Sequence, residues 1–188
     1  MSKLTWKPGT MLYPLPAVMV SCGSMEKPNI ITVAWTGIVC TDPAMTYISL
    51  RPERFSYGLI KTSREFVINL TTERLMLAAD WCGVKSGREV SKFGHCRLMP
   101  EAASQISAPM IAESHLNIEC RVEQIIPLGS HEMFLSKILA VNVDETLLDK
   151  KGVLHLENAG LTVTSHGRYF GLGRQLGTFG YSVKKKKR

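Results

Sequence analysis

Val, Ile, Thr and aromatic residues come in this chain as short runs broken by Gly, Pro, Ser and Asp. That pattern restricts the fold more than any other feature. Residues 17–22 (AVMVSC), 29–35 (NIITVAW) and 44–50 (AMTYISL) each have the length and composition of a strand. Residues 23–28 separate the first two with hairpin turn chemistry, and Thr41-Asp42-Pro43 precedes the third. Residues 66–70 (FVINL) return to strand. Residues 115–126 and 133–143 alternate apolar and polar positions on either side of a turn at Pro127-Leu128-Gly129-Ser130. Residues 161–170 read as a last strand before a glycine-rich end.

Helical periodicity is confined to the middle of the chain. Pro52 opens the segment ERFSYGLIKTS, in which Phe55, Leu59 and Ile60 recur at helical spacing and proline suits a first turn. Thr71 or Thr72 caps a second helix over residues 73–81, with Leu75, Ala78 and Ala79 on one face. Residues 83–91 read as a loop or short helix. Strands dominate and no regular βαβ alternation appears. The expectation is a mainly β protein, an antiparallel barrel with a few helical insertions. The 188 residues suit a single domain over 1–183 followed by a basic tail, 184–188.

Charge and cysteine content narrow the function classes. The formal charge is +7, but Lys184, Lys185, Lys186, Lys187 and Arg188 supply five of those charges, so the rest carries +2. A terminal basic run of this kind reads as a solvated tail, and no zinc-finger, helix-turn-helix or RNA-recognition signature accompanies it. Nucleic acid is therefore a weak partner class, though the tail also fits a localisation or polyanion patch. Cys22, Cys40, Cys82, Cys96 and Cys120 form no CxxC pair, which argues against a metal site and against a disulfide framework. Together with the absence of an apolar run near the roughly 20 residues of a membrane span, and of a signal-peptide h-region, this points to the reducing cytoplasm. Cys40 and Cys82 invite a redox-thiol reading, but neither has a partner cysteine nearby in sequence, so small buried residues are expected.

Candidate chemistry concentrates where a strand runs into a helix. Ser49, Leu50 and Arg51 lead into Pro52, Glu53 and Arg54, and Ser56 and Tyr57 lie in the first turns beyond. A helix start offers unpaired N–H groups and a positive dipole end, and an arginine fork adds two-point recognition of phosphate. The competing reading makes Arg51 and Arg54 surface charges beside Glu53. The run from Asn29 through Thr32, Ala34 and Trp35 to Val39 and Cys40 can bring backbone against a flat ligand edge, or can simply be core strand. The GLGRQLGTFG segment lacks GxGxxG spacing and has too little chain after it for a βαβ unit, so no dinucleotide fold is expected.

The ordered set NIITVAW, CTDP, ISLRPERFSYGLI, EFVIN, CGVKSG with SKF, IPLGSHEMFLSKI and HGRYFGLG resembles the flavin reductase-like family, flavoredoxins included, over residues 16–183. The resemblance implies an FMN-binding split barrel that forms a homodimer, with one FMN per subunit near the interface. FAD is also compatible. Carried over, Asn29, Thr32, Ala34, Trp35, Val39 and Cys40 surround the isoalloxazine. Ser49, Leu50, Arg51, Ser56 and Tyr57 line the ribityl and phosphate path, and Ser86, Gly87, Lys92 and Phe93 belong to a covering loop. His131 matches a position near the nicotinamide side and is the candidate catalytic residue, with a turn-capping role as the alternative. His166 is a weaker candidate of the same kind.

Two positions depart from the family pattern: Ala44 stands where a second proline is frequent, and Arg64 where glycine is frequent before Glu-Phe. The implied activity is electron transfer from NAD(P)H through flavin to an acceptor that the sequence does not name. An FMN-retaining carrier reduced by a partner protein is the alternative, and a nucleic-acid module using the tail is the remaining class.

Overall fold

The computed structural model describes residues 1–183, so the basic tail 184–188 lies outside the described residues. The chain begins with strands β1 (Leu15–Pro16), β2 (Val18–Gly23), β3 (Pro28–Val33), β4 (Thr36–Cys40) and β5 (Met45–Leu50). Helix α1 (Phe55–Ser63), strand β6 (Glu65–Asn69) and helices α2 (Met76–Val84) and α3 (Lys92–Cys96) follow. The second half holds the two-residue strands β7 (Pro100–Glu101) and β8 (Met110–Ile111), the long β9 (Leu116–Pro127) and β10 (Glu132–Val143), then β11 (Thr162–Ser165) and β12 (Arg168–Gly171). Among these described residues no helix is long and apolar enough to cross a membrane.

Seven strands form one antiparallel sheet in the order β3-β2-β6-β9-β10-β5-β4, curled into the half-barrel of a split-barrel fold. The mainly β expectation therefore holds. Register slips in β10 between Leu135 and Ser136 and between Ile138 and Ala140, and Val39 of β4 drops out of pairing with β5. Bulges of this kind bend a sheet and sharpen its twist.

The apolar run of β2 is explained by burial on both faces. Val18, Val20 and Cys22 pack inside the barrel with Ile31, Ile48, Phe66, Phe134 and, from α1, Tyr57 and Ile60. Met19, with Ile30 of β3, faces the other way into a second core built by Ala79 and Cys82 of α2 and Phe93 of α3. A strand covered on both sides loses the polar alternation of a half-exposed one.

The sequence reading needs five corrections at this level. The predicted strand 29–35 stops at Val33, because the chain turns through Ala34-Trp35 and returns as β4 along β5. Helix α1 starts at Phe55 with Arg54 at its N-cap, so Pro52 sits in the preceding turn. The predicted helix 73–81 opens as a 3-10 turn, Glu73–Leu75, and continues as α helix to Val84. A further short helix, α3, lies just past the predicted loop, with the Ser91 hydroxyl accepting from Gly94 N–H. The predicted last strand is a hairpin, β11 and β12, which turns at His166-Gly167, both at positive φ. Paired positive φ values are what a tight two-residue hairpin turn requires.

Candidate functional site

The end of β3, the end of β5 and the start of α1 converge on one groove, and the Ser49 N–H donates to the Trp35 carbonyl at 2.8 Å to tie two of them together. The groove consists of two cavities, of about 330 Å³ and 270 Å³, that share Ile31, Arg51 and Arg54.

The first cavity is strongly cationic. Arg51, Arg54, Lys85 and Lys92 line it against a single carboxylate, Glu53. The Arg51 guanidinium stands 3.7 Å from Glu53 and is half exposed, so it remains available to an anion. Lys92 is different in kind, because only 3 % of it is exposed. Its Nζ donates one hydrogen bond, to the Cys82 carbonyl at 2.7 Å. Burial holds its pKa below the ordinary lysine value, with Arg54 adding to the push and the Cys82 and Cys22 sulfurs opposing it. A buried ammonium with unused donors beside other cations is costly alone and favours an anionic guest. The first residues of α1, Phe55 and Ser56, line the same space, so the helix start lies at the cavity.

Gly87 closes the loop over this cavity. A Cβ there would collide with the Asn29 side chain and the Phe55 ring, so only glycine lets the backbone come so close. Asn29 itself is buried and donates from Nδ2 to the Ser56 hydroxyl at 2.7 Å. It stands behind the cavity wall and fixes it. The Arg88 guanidinium lies over the Phe55 ring, 5.9 Å from its centre, and holds the far side of the loop.

The second cavity is more open and less charged, lined beyond the shared residues by Thr32, Val33, Ala34, Trp35, Ser49, Leu50 and His131. The Thr32 hydroxyl is committed to the Ala79 carbonyl, which leaves the β3 backbone rather than that side chain to face the groove. His131 approaches from the β9–β10 turn, with Nδ1 2.9 Å from the Ser130 hydroxyl. Beyond Ala34, Trp35 and Ser49 the groove opens on an apolar hollow of about 700 Å³ between the N-terminal arm, Tyr47 and Met133. The whole arrangement suits an elongated ligand with an anionic end and a flat end.

The structure brings together Thr32, Ala34, Trp35, Ser49, Leu50, Arg51, Ser56, Ser86, Gly87, Lys92 and His131, with Asn29 directly behind. Four predicted residues stand elsewhere. Tyr57 turns its ring into the barrel core against Phe134 and donates its hydroxyl proton to Glu132 at 2.7 Å. Phe93 belongs to the second core. Val39 is bulged out and half exposed, and the Cys40 thiol donates to the Asp42 carbonyl at 3.4 Å. A bulge sets the direction of Val39 and Cys40, the first turn of α1 that of Tyr57, and packing in the second core that of Phe93. His166 sits in the β11–β12 turn against Tyr13, outside the groove. Sequence reasoning missed Ile31, Phe55 and Lys85 as wall residues; Lys85 lies in the CGVKSG motif, which was the available signal.

The sequence model described as the flavin reductase like domain matches residues 10–166. The chain belongs to the flavin reductase-like family. The fold of the flavoredoxin of Desulfovibrio vulgaris (Miyazaki F) superposes with a TM-score of 0.89 at 27% identity, covering 97% of this chain and 100% of that one. An uncharacterized protein of Archaeoglobus fulgidus is 30% identical over 140 residues, 74% of this chain and 78% of its own length. The NADH-dependent FMN reductase of Streptomyces nodosus subsp. asukaensis is 30% identical over 128 residues, 68% of each chain. The cationic cavity and the flat groove, sharing Ile31, Arg51 and Arg54, form one cleft between β3 and the β5–α1 junction of this domain.

Proposed function

We propose that the groove binds FMN, phosphate in the cationic cavity and isoalloxazine along β3 and Trp35, and that the protein is an NAD(P)H-dependent flavin oxidoreductase. The observation that carries this reading is the buried Lys92 ammonium in a cavity of four cations at a helix start. The group fits the residues present: the cavity has the room and the charge for one compact anion, the Gly87 backbone lies close enough to reach it, and the flat groove continues directly from it. One phosphate site favours FMN over FAD.

When bound, FMN supplies the redox chemistry, taking electrons from a nicotinamide and passing them on. The chain's own residues bind and orient. Arg51, Lys92 and the α1 N-terminus hold the phosphate, Ser56 is set in place by Asn29, and Leu50 and Trp35 shape the ring slot. His131, at the rim of the slot, orients the nucleotide or steadies charge there. The apolar hollow beside Trp35 leaves that side of the slot open to a second reactant or to a second copy of the chain.

The visible spectrum of the purified protein, followed by anaerobic addition of NADH and then NADPH, tests the proposal. Flavin bands that bleach with either nucleotide are expected, and the faster nucleotide identifies the donor. A protein that is colourless and takes up no added FMN would overturn the reading. The likeness to a flavoredoxin keeps a second reading in view, a carrier that retains FMN and receives electrons from another protein. Flavin bands that resist both nucleotides but bleach with dithionite select the carrier.

A further inference from the structure

Cys82 and Cys96 are distant in sequence and adjacent in space. Their sulfurs stand 3.8 Å apart, Cys82 in α2 and Cys96 at the end of α3. The residues before them stack as well: the Trp81 and His95 rings lie 3.9 Å apart and 8° from parallel. A third link, from Lys92 Nζ to the Cys82 carbonyl, ties the start of α3 to the same turn of α2. Between the two helices runs the loop carrying Lys85, Ser86 and Gly87, which with Cys82 and Lys92 form one wall of the cationic cavity.

We propose that Cys82 and Cys96 are a reversible dithiol–disulfide site, oxidised by hydroperoxides, whose closure fixes the loop over the cavity. The sulfurs need to close by about 1.8 Å to reach a disulfide bond length. Closing that gap calls for rotation of both side chains and a small shift of the five-residue α3. Cys96 is partly exposed, whereas Cys82 is buried and burial, reinforced by the Cys96 sulfur, pushes its thiol up to about 12. The oxidant therefore meets Cys96 first.

The Cys96 thiolate attacks one oxygen of hydrogen peroxide and the O–O bond breaks; its sulfur becomes a sulfenic acid, and the departing hydroxide takes up the proton that Cys96 released on ionising and leaves as water. The Cys82 sulfur then attacks the Cys96 sulfur, the S–S bond forms, and the Cys82 proton leaves with the displaced hydroxide as a second water. Two thiols and one peroxide thus give one disulfide and two waters. An external dithiol reverses the step by exchange.

The bond would join both ends of the loop that carries Gly87, so the loop is restricted before any ligand arrives. Binding then costs less ordering, and a bound group leaves more slowly. This consequence, unlike the bond itself, rests on the proposal that FMN occupies the groove.

Reduced protein is treated with graded hydrogen peroxide, quenched with a thiol alkylator and mapped by mass spectrometry, and FMN release is timed for both forms. The expected result is a peptide linking Cys82 to Cys96, short of two hydrogens, absent in Cys82→Ser and Cys96→Ser and removed by dithiothreitol. FMN release from the oxidised form is expected to slow by roughly threefold or more. Wild-type protein in which Cys96 proceeds to sulfinic acid with no linked peptide overturns the site. A linked peptide with unchanged FMN release overturns the coupling to the loop. Reduced protein that takes up no FMN would count against the flavin reading, while the peptide map still decides the cysteine pair.

Discussion

Arg51 and Lys92 reach the same cavity from different elements, one half exposed and the other buried. Arg51→Ala is expected to weaken FMN binding by about 1.5–3 kcal/mol, the loss of a charge-assisted bond, in a fluorescence titration. Lys92 carries the pH dependence. Its charged form attracts the phosphate, and its pKa lies below the ordinary 10.5 because of burial. FMN affinity should therefore fall as pH rises through that depressed value, earlier than an ordinary lysine would dictate. A Lys92→Met variant should bind more weakly at neutral pH and lose this dependence, leaving only the titration of FMN itself. Arg64 concerns stability instead. It caps α1 in the left-handed region at φ 61°, a conformation that suits glycine, and its guanidinium donates to the Glu123 carbonyl at 2.9 Å. That bond compensates for the missing glycine. Arg64→Gly should be about 1 kcal/mol more stable than Arg64→Ala in urea denaturation, since both lose the bond and only glycine relieves the backbone.

At the scale of elements, the polar anchor of β9 matters most. Glu119 is wholly buried, yet its carboxylate accepts from the Ser104 N–H and hydroxyl, the Gln105 N–H and Asn142 Nδ2, all within 2.8 Å. Burial alone would raise its pKa, and these donors more than offset that, so the net shift is downward. The stability it contributes is complete above the ordinary value of 4.5 and is lost as pH falls through the lower folded value. Glu119→Gln puts an NH₂ against existing donors and should cost about 1.5–3 kcal/mol at neutral pH while flattening the acid limb of the stability profile, measured by denaturant midpoints. The segment it anchors connects β7 to β8, and this is where the sequence reading was silent. Long strands were legible because β9 and β10 alternate over many residues. The two-residue strands and α3 were not, because each is held by tertiary partners such as Glu119 and the second core rather than by its own periodicity.

At the scale of the whole molecule, the seven-stranded sheet ends on two edge strands, β3 and β4. On β4, Ile38 is 85% exposed and Val39 is bulged beside it, an apolar edge of the sort that a partner normally covers. The homodimer that the family resemblance implies would cover this edge: light scattering is then expected to give twice the 20.9 kDa chain mass, and Ile38→Lys to shift the protein toward monomer. The sequence by itself determined the strand-rich class, the strand–helix junction at Ser49–Arg51 and the ordered motifs of the family, since composition, turn residues and short motifs are local properties. It could not assign side-chain direction at Tyr57, Val39, Cys40 and Phe93, where a bulge, a helix start or a second core decides which way a residue faces. Nor could it pair Cys82 with Cys96 or bury Lys92 beside Arg51. Those meetings depend on how α2 and α3 fold back over β3, and packing between elements, not spacing along the chain, sets that geometry.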